Sequence, residues 1–379
     1  MLVQNASIED ITVLLSLFKD SVSFLSGGHN PTGIALNDIT VDMASRRYVY
    51  ASSVGNLSTL RIGGGTLWGD VYSEIDGQPF DVVGGGASTV GVVGNLLCGG
   101  ISWISRHRGL ASASVLGYTL VTPTGEQINV SLSQNPDVFA SLTNSCGSLS
   151  HAVLEVELRL WRSDGRMVLR LRSPSIGGAR WIATTYTHLV KSTQHERRIS
   201  CAAEVASTAW GIDVVYSGLD VYSTLSRLNV ARGAFLAFGN STALVWRGGT
   251  HWAKLKSLPF DEWFIQANAA TLVADDGITT ILTSVPIVWR SAFTMISMDH
   301  TLRYVTRLDY SSYAQTHCQI QLEQLGGKLD DVNGNWNHSG AECLVSFICF
   351  GGYAMGNDWV RSALQHVERH DVQPYAGYG

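Results

Sequence analysis

Charged side chains are scarce in this sequence. Lys, Arg, Asp and Glu together make up 15% of the 379 residues, whereas about a quarter is usual for a globular protein. The 45% apolar content excludes disorder as a description of the whole chain. There is no Lys/Arg-rich run and the net charge is −5, which argues against a nucleic-acid binder. No apolar stretch approaches the roughly 18 residues of a membrane-spanning helix, so we expect no membrane span.

Several common motifs are also missing. Neither the dinucleotide fingerprint G-x-G-x-x-G nor the phosphate loop G-x-x-x-x-G-K-[ST] occurs, and the nearest candidate, Gly84–Thr89, fails at its last position. The G-x-S-x-G motif of hydrolases and the H-E-x-x-H zinc motif are absent. The six cysteines show no C-x-x-C spacing, so we expect no metal site. Free thiols and one or two disulfides both remain open.

The sequence leaves the cellular compartment open. No charged region followed by an apolar region comes after Met1, so no signal peptide is visible and a cytoplasmic protein is one interpretation. The other is a secretory lineage, which an excess of N-glycosylation sequons suggests. The five sequons begin at Asn5, Asn56, Asn129, Asn240 and Asn337. The oligomeric state is not indicated by any feature of the sequence.

Glycine is the residue that the sequence has in excess. There are 39 glycines, about one residue in ten, against roughly 7% on average. Three clusters, at 27–28, 63–65 and 84–86, follow predicted strands, and a fourth glycine-spaced region covers 91–100. Glycine after a strand allows consecutive backbone N–H groups to converge on an anion such as a phosphate. By themselves, these glycines fit a backbone phosphate cradle and a set of tight turns equally well.

The chain divides into two parts. A single core stops growing near about 250–300 residues, so two lobes are expected. A helix at 7–18, a strand at 21–25 and a glycine turn predict α/β architecture at the start. Residues 34–160 are strand-rich, 162–166 form a predicted linker, and 167–350 contain longer alternating runs typical of an antiparallel sheet. Helices are predicted in that second part at 178–191, 220–230 and 300–326.

Motifs between Ser26 and Leu158 agree in order and spacing with one known family. They are Ser26-Gly-Gly-His-Asn30, Gly33–Met43, Trp68-Gly-Asp-Val-Tyr72, Val83–Gly100, Ile101-Ser102, Gly109-Leu110 and Asn135–Phe139. Together they resemble the flavin-binding domain of the vanillyl-alcohol-oxidase superfamily, in its berberine-bridge-enzyme-like branch. The resemblance implies an α+β, two-lobed PCMH-type FAD-binding fold with a substrate lobe built on an antiparallel sheet. It implies an FAD-binding domain at 1–162, a substrate-binding domain at 163–350 and a return segment at 351–379.

The resemblance also implies which residues hold FAD. They are Ser26, Gly27, Gly28, His29, Asn30, Gly33, Gly85, Gly86, Ala87, Ser88, Thr89, Gly91, Gly94, Asn95, Gly99, Gly100, Ser102 and Val153. In relatives the histidine at the position of His29 often bonds covalently to the flavin, so a covalent bond and a simple contact both remain open. Ala87 occupies the place of the cysteine in bicovalent members, which excludes a second link there. Cys98 is interpreted as a small buried thiol.

The implied activity is that of an FAD-dependent oxidase. Hydride would pass from an alcohol- or amine-type C–H of a small organic molecule, of the kind made in secondary metabolism, to flavin N5, with O2 as the reoxidant. One alternative is a non-redox cyclase or pericyclase with a structural or lost flavin, and another is a catalytically silent homologue. Tyr353, in a turn near the flavin ring in relatives, is the candidate catalytic residue because a phenol there can accept a proton. A tyrosine that only packs in the turn is the alternative.

Overall fold

The computed structural model describes the following parts of the chain. They are residues 1–18, 21–29, 39–54, 57–76, 78–86, 88–142, 151–163, 166–173, 186–187, 189–206, 210–218, 240–246, 283–289, 317–331, 343–350 and 373–374. Among these residues, no helix is long and apolar enough to cross a membrane.

In the part of the chain that the structure describes, five short α-helices have both ends placed, and each lies between strands. They are α1 (Ile8–Phe18), α2 (Trp68–Glu74), α3 (Val92–Leu97), α4 (Ser105–Arg108) and α5 (Pro136–Leu142), with 3-10 helices at Ala44–Arg46, Ala111–Ser114 and Gly327–Asp331. The predicted helix at 7–18 is confirmed as α1, and Ser7 and Asp10 cap it reciprocally. The Asp10 backbone N–H donates to Ser7 Oγ at 3.1 Å, and the Ser7 N–H donates to Asp10 Oδ2 at 2.9 Å.

Three sheets build the first part of the chain. A parallel sheet has the order β1 (Leu2–Val3), β3 (Ile39–Asp42), β2 (Val22–Leu25). An antiparallel sheet has the order β4 (Val49–Val54), β5 (Leu57–Gly63), β9 (Ala152–Arg159), β7 (Val115–Val121), β8 (Gln127–Ser131). A two-stranded sheet joins β6 (Phe80–Asp81) to β10 (Trp161–Arg162).

The main core of this part lies between the five-stranded sheet and helices α2 and α3. Trp68 and Tyr72 of α2 stack with their ring centroids 5.8 Å apart, and both are buried beside Leu96 of α3 and Leu120 of β7. Burial of large aromatic side chains contributes strongly to core stability. The Trp68–Tyr72 pair therefore fixes the beginning of α2, to which the glycine-rich segment before α3 is hydrogen-bonded.

One antiparallel sheet contains all the described strands after residue 165. Its order is β14 (Asn240–Trp246), β11 (Arg166–Ser173), β13 (Trp210–Ser217), β12 (Ile199–Ala206), β16 (His317–Gln324), β17 (Cys343–Phe350), β15 (Thr283–Trp289), β18 (Gln373–Pro374). The predictions of an α+β fold and of an antiparallel sheet in the second part are confirmed. We refer to it below as the large sheet.

One prediction about local structure needs correction. The helix predicted over 300–326 is wrong where the structure describes it, because His317–Gln324 is strand β16. Within that strand Cys318, Ile320 and Leu322 alternate with polar residues, a two-residue period that suits a strand and not a helix. The glycine-spaced region 91–100 contains helix α3. The helix predicted at 220–230 lies outside the described residues.

Candidate functional site

Two glycine-rich loops pack directly against each other. The loop of residues 26–29 follows β2, and the segment of residues 88–91 precedes α3. A side chain at Gly27 would overlap the backbone nitrogen of Gly91 and lie 2.5 Å from the Thr89 carbonyl oxygen. In turn, a Cβ at Gly91 would lie 2.5 Å from Ser26 Oγ. The contact, which we call the loop junction, therefore requires glycine on both sides.

Hydrogen bonds fix the loop junction to the start of α2. The backbone N–H of Trp68 donates to the Val90 carbonyl at 3.0 Å, and that of Gly69 donates to the Ser88 carbonyl at 2.8 Å. From the other loop, Ser26 Oγ donates to the Thr66 carbonyl at 3.3 Å. The two predicted binding segments are thus held by one rigid element, as a binding site requires.

At Gly86 and Gly94 the packing of the described residues does not require glycine. A Cβ at either position would meet no described heavy atom within 4 Å. Gly94 lies inside α3 and is exposed, where glycine costs about 1 kcal/mol relative to alanine. Open space beside bare backbone is the arrangement that lets a ligand approach closely. We call this surface, beside the loop junction, the cradle.

Several of the predicted contact residues also support the structure of the cradle. The indole N–H of Trp68 donates to Asn95 Oδ1 at 3.0 Å, and the Tyr72 hydroxyl donates to the Gly85 carbonyl at 2.7 Å. Gly99 and Gly100 both adopt positive φ, at 92° and 72°, in the turn after α3. The sequence predicts these residues as contacts of a cofactor, and the structure adds a role in holding the segment in shape.

His29 links the two loops through its ring. The Nε2 atom lies 2.9 Å from Thr89 Oγ1, and burial lowers the pKa of the imidazole. The folded protein therefore favours the neutral ring, which is the nucleophilic form. Because Nε2 contacts the threonine hydroxyl, Nδ1 is the ring atom left for a bond or contact on the opposite side.

Two predicted residues take other positions. Ser102 lies at the start of α4, where its hydroxyl accepts from the Ile104 N–H at 3.1 Å and its N–H donates to Ser105 Oγ at 2.9 Å. The Val153 side chain lies in the main core, only 5% exposed. The structure therefore brings the 26–29 and 85–100 residues together but does not add the Val153 side chain to the cradle. Asn30, Gly33, Ala87 and Tyr353 lie outside the described residues.

The interpretation of Cys98 as a free thiol is wrong. Its sulfur is disulfide-bonded, and the residue is partly exposed at the end of α3. A disulfide at this point restrains the helix that carries Gly94. Among the described residues, Cys201 is the free cysteine. Its burial raises the pKa of the thiol to about 11.

Glu323 is a functional candidate that the sequence did not reveal. It is the penultimate residue of β16, and its burial raises the pKa of the carboxyl to about 7. In the large sheet Glu323 pairs with Ala202, which pairs with Asp213, so the two carboxylates lie in one row on the same face. Titratable groups with strongly shifted pKa values cluster at functional sites. No motif marks Glu323, and the prediction of a helix over 300–326 concealed its place on a strand.

The described residues contain no group of three or more His, Cys, Asp or Glu side chains that could hold a metal ion.

Comparison with known proteins identifies the domain at the start of the chain. Residues 1–131 match the family model of an FAD binding domain. The chain is 36% identical to (R)-6-hydroxynicotine oxidase from Paenarthrobacter nicotinovorans over 149 residues, or 39% of this chain and 32% of that protein. It is 31% identical to bifunctional solanapyrone synthase from Alternaria solani over 134 residues, or 34% of this chain and 25% of that protein. The matches thus span a third or less of the length of these relatives.

A solved structure extends the likeness in fold to the whole chain. Glucooligosaccharide oxidase from Acremonium strictum, whose FAD is 6-S-cysteinyl and 8α-N1-histidyl, has a TM-score of 0.77. Its sequence identity is 18%, over 100% of this chain and 82% of that chain. Residues 1–131 therefore contain an FAD binding domain, and the chain shares its fold with this oxidase. The PCMH-type FAD-binding fold and FAD as the cofactor, both predicted from the motifs, are confirmed.

The cradle suits FAD. The open backbone at Gly86 and Gly94 offers room for the pyrophosphate, where glycine permits the closest approach. The 26–29 loop, joined to Thr89 through His29, lies beside it. FAD would be held by these bare-backbone segments in the manner of a nest, in which N–H groups bind phosphate oxygens.

Proposed function

We propose that the protein is an FAD-dependent oxidase of small organic molecules of the kind made in secondary metabolism. The observation that carries this proposal is the cradle, in which Gly86 and Gly94 leave open space that no described side chain fills. When bound, FAD supplies a two-electron acceptor, taking hydride at N5 from an alcohol- or amine-type C–H and passing both electrons to O2 to give hydrogen peroxide. The names of the relatives, an oxidase among them, support the same reaction class.

The chain itself would supply a group that removes the second proton. Oxidation of an alcohol or amine releases a proton from O–H or N–H as the hydride leaves carbon. Glu323 is our candidate acceptor, because a carboxyl with a pKa of about 7 is present as base and as acid near neutrality. Tyr353, the candidate from the sequence, remains a second proposal for this role.

We further propose that FAD would be held covalently by His29, with Nδ1 replacing one hydrogen of the flavin ring's methyl group. The displaced C–H and N–H hydrogens would leave as protons, and the two electrons released would pass to O2. Burial keeps the ring neutral, and the Thr89 hydroxyl contacts Nε2 at 2.9 Å, so the ring is oriented with Nδ1 available. The histidyl FAD of glucooligosaccharide oxidase supports this assignment. A covalent bond prevents loss of the cofactor, which suits an oxidase that must turn over in dilute solution.

Gly94→Leu tests the cradle. Purified protein should show flavin absorption bands, and the variant should lose them because leucine fills the open space. The variant should fold, since leucine is a better helix former than glycine by up to about 1 kcal/mol. Ser141→Leu, at an exposed position of α5, is the matched control and should stay yellow. A colourless wild-type protein that FAD does not reconstitute would refute the proposal.

His29→Ala tests the covalent bond separately. After acid precipitation the wild-type pellet should retain the yellow colour, whereas the flavin of the variant should pass into the supernatant. Release of flavin from both proteins would show a non-covalent cofactor and leave the oxidase proposal standing.

A second candidate function is a non-redox cyclase on the same fold. The observation that favours it is the 31% identity to a bifunctional solanapyrone synthase, since that name describes a synthase. An oxidase consumes O2 and produces hydrogen peroxide in step with product. A cyclase converts its substrate to an isomer of equal mass without consuming O2, so oxygen uptake and product mass distinguish the two.

A further inference from the structure

A buried arginine joins α4 to the large sheet. Arg106 is only 1% exposed. Its Nη1 donates to the Ile199 carbonyl at 3.0 Å, and its Nη2 donates to the carbonyls of Gln194 and Thr193 at 3.0 and 3.3 Å. Three acceptors from one short stretch therefore surround the end of a single side chain.

Those acceptors are suited to a cation. Residues 189–192 form a helical turn, and the Thr193 and Gln194 carbonyls follow it directly. The carbonyl end of a helix carries partial negative charge, so it stabilises a buried guanidinium. The fork of N–H donors also satisfies several carbonyls at once, which the ammonium of lysine cannot reproduce.

The same stretch holds the end of β16. Gln324 Oε1 accepts from the Cys201 N–H at 3.1 Å, and its Nε2 donates to Thr193 Oγ1 at 3.0 Å. Thr193 thus contacts Arg106 through its carbonyl and Gln324 through its hydroxyl. Gln324 is the neighbour of Glu323, and adjacent strand residues face opposite sides of a sheet. Fixing Gln324 on one face therefore orients Glu323 on the other.

A second contact holds the segment after β16 on α4. Gly327 adopts a φ of 70°, and a Cβ there would lie 2.6 Å from the Arg106 carbonyl oxygen. Lys328 Cγ would lie 3.7 Å from a Cβ at Gly109, directly after α4. The backbone of Arg106 thus meets the segment after β16 directly, whereas its guanidinium is linked to the end of β16 only through Thr193.

We propose that Arg106 is a positioning residue, which through Thr193 and Gln324 fixes Glu323 relative to the FAD cradle. Helix α4 follows the turn at Gly99 and Gly100 after α3, and the Gly327 segment packs on the backbone of its Arg106, so α4 links the turn after α3 to the end of β16. The effect on the reaction rests on the proposed function of Glu323, whereas the mechanical link rests on the contacts alone.

The test compares Arg106→Lys and Arg106→Met with Arg108→Lys and Arg108→Met. Arg108 is on the same helix but lies over the Trp161 ring, with its Cζ 5.0 Å from the centroid, and is partly exposed. We expect flavin content to be unchanged in Arg106→Lys and kcat to fall by about tenfold with little change in KM, since small misplacements of a catalytic group have large effects. The Arg108 variants should change kcat by less than about twofold.

A readout independent of activity is the pH dependence of stability. Glu323→Gln is combined with each Arg106 variant, and unfolding by urea is measured at pH 5 and pH 8. The Glu323→Gln change should alter the free energy of unfolding differently at pH 5 and at pH 8. If Arg106 holds Glu323 in its partly buried place, this pH-dependent effect shrinks when Arg106 is replaced. Asp213, in the same row of the sheet, is replaced by Asn in a parallel series to remove its own titration.

The outcomes separate the two proposals. A colourless, inactive wild-type protein would refute the oxidase function. If Arg106→Lys still shrinks the pH-dependent effect of Glu323→Gln on stability, the mechanical link is supported all the same. The link would be overturned if Glu323→Gln has the same pH-dependent effect on stability in both Arg106 variants as in wild type, and if kcat falls no more than in the Arg108 variants. If Arg106→Met does not fold, the Arg106→Lys results decide.

Discussion

Thr89 contributes one hydroxyl to the loop junction, and that hydroxyl contacts His29 Nε2 at 2.9 Å. It therefore controls the orientation of the ring without touching its other nitrogen. Loss of one such hydrogen bond typically costs about 1 kcal/mol. The residue is thus a means of testing the orientation of His29 without removing the nucleophile.

We expect Thr89→Val to lower the fraction of flavin retained in an acid-precipitated pellet while total flavin binding persists. Valine keeps the shape of threonine but cannot hydrogen-bond, so the ring loses its fixed orientation. Thr89→Ser retains the hydroxyl and is the matched control. Equal covalent fractions in all three proteins would show that the contact is not needed for the bond.

Glu323→Gln should stabilise the protein at alkaline pH. The pKa of Glu323 is raised from 4.5 to about 7 by burial, so the folded state binds the proton more tightly than the unfolded state. Wild-type stability should then fall as pH rises from 4.5 to 7, and the penalty stays constant above that range. At pH 8 we expect the variant to be more stable by about 2 kcal/mol, allowing for the partial exposure of the side chain.

Urea unfolding at pH 4 and pH 8 measures this difference, with Glu126→Gln, at an exposed turn position, as the control. A variant that gains nothing at pH 8 contradicts the burial of a charged carboxyl. If the same variant also loses turnover, the wild-type carboxyl is retained for the reaction at a cost in stability.

Among the elements, the loop junction is the least tolerant of change. Gly27 and Gly91 face each other so closely that a methyl group on either would overlap atoms of the opposite loop. We expect Gly27→Ala to destabilise the protein by more than about 2 kcal/mol and to abolish flavin binding. Thermal unfolding and flavin absorption check this, with Gly94→Ala as the control that should retain stability. A Gly27→Ala protein as stable as wild type would show that the loops separate easily.

The glycines that packing requires, and those that it does not require, show how much of the cradle could be predicted from the sequence. The motifs placed the 26–29 and 84–100 segments together through resemblance, since their order and spacing are specific. They did not separate Gly27, which packing requires, from Gly94, which packing does not. That distinction depends on which backbone atoms approach from a distant loop, and no local pattern records it. Strand β16 was missed for a related reason, because its two-residue alternation is short and its neighbouring strands are far away in sequence.

For the molecule as a whole, the sequence predicted a first part rich in short strands and glycines and a second part built on an antiparallel sheet. It did not predict how they are joined, because Arg106 lies in an ordinary polar run and its acceptors are backbone carbonyls, which carry no sequence signature. Glu323 was missed in the same way, since its raised pKa comes from burial by residues distant along the chain. The fold and cofactor follow from motifs, whereas the candidate acid–base chemistry follows from tertiary packing alone.

The bonds of Arg106 also constrain how the chain is made. The Ile199 carbonyl lies 93 residues beyond Arg106, and Gln324 reaches back 123 residues to the Cys201 N–H. During synthesis on the ribosome, α4 leaves the exit tunnel long before either partner exists. The nascent chain must therefore keep Arg106 hydrated until its carbonyl acceptors, the last of them at Ile199, have been made. The contacts of Gln324 form later still, and the interval before they form is when the chain is most exposed to aggregation and chaperones.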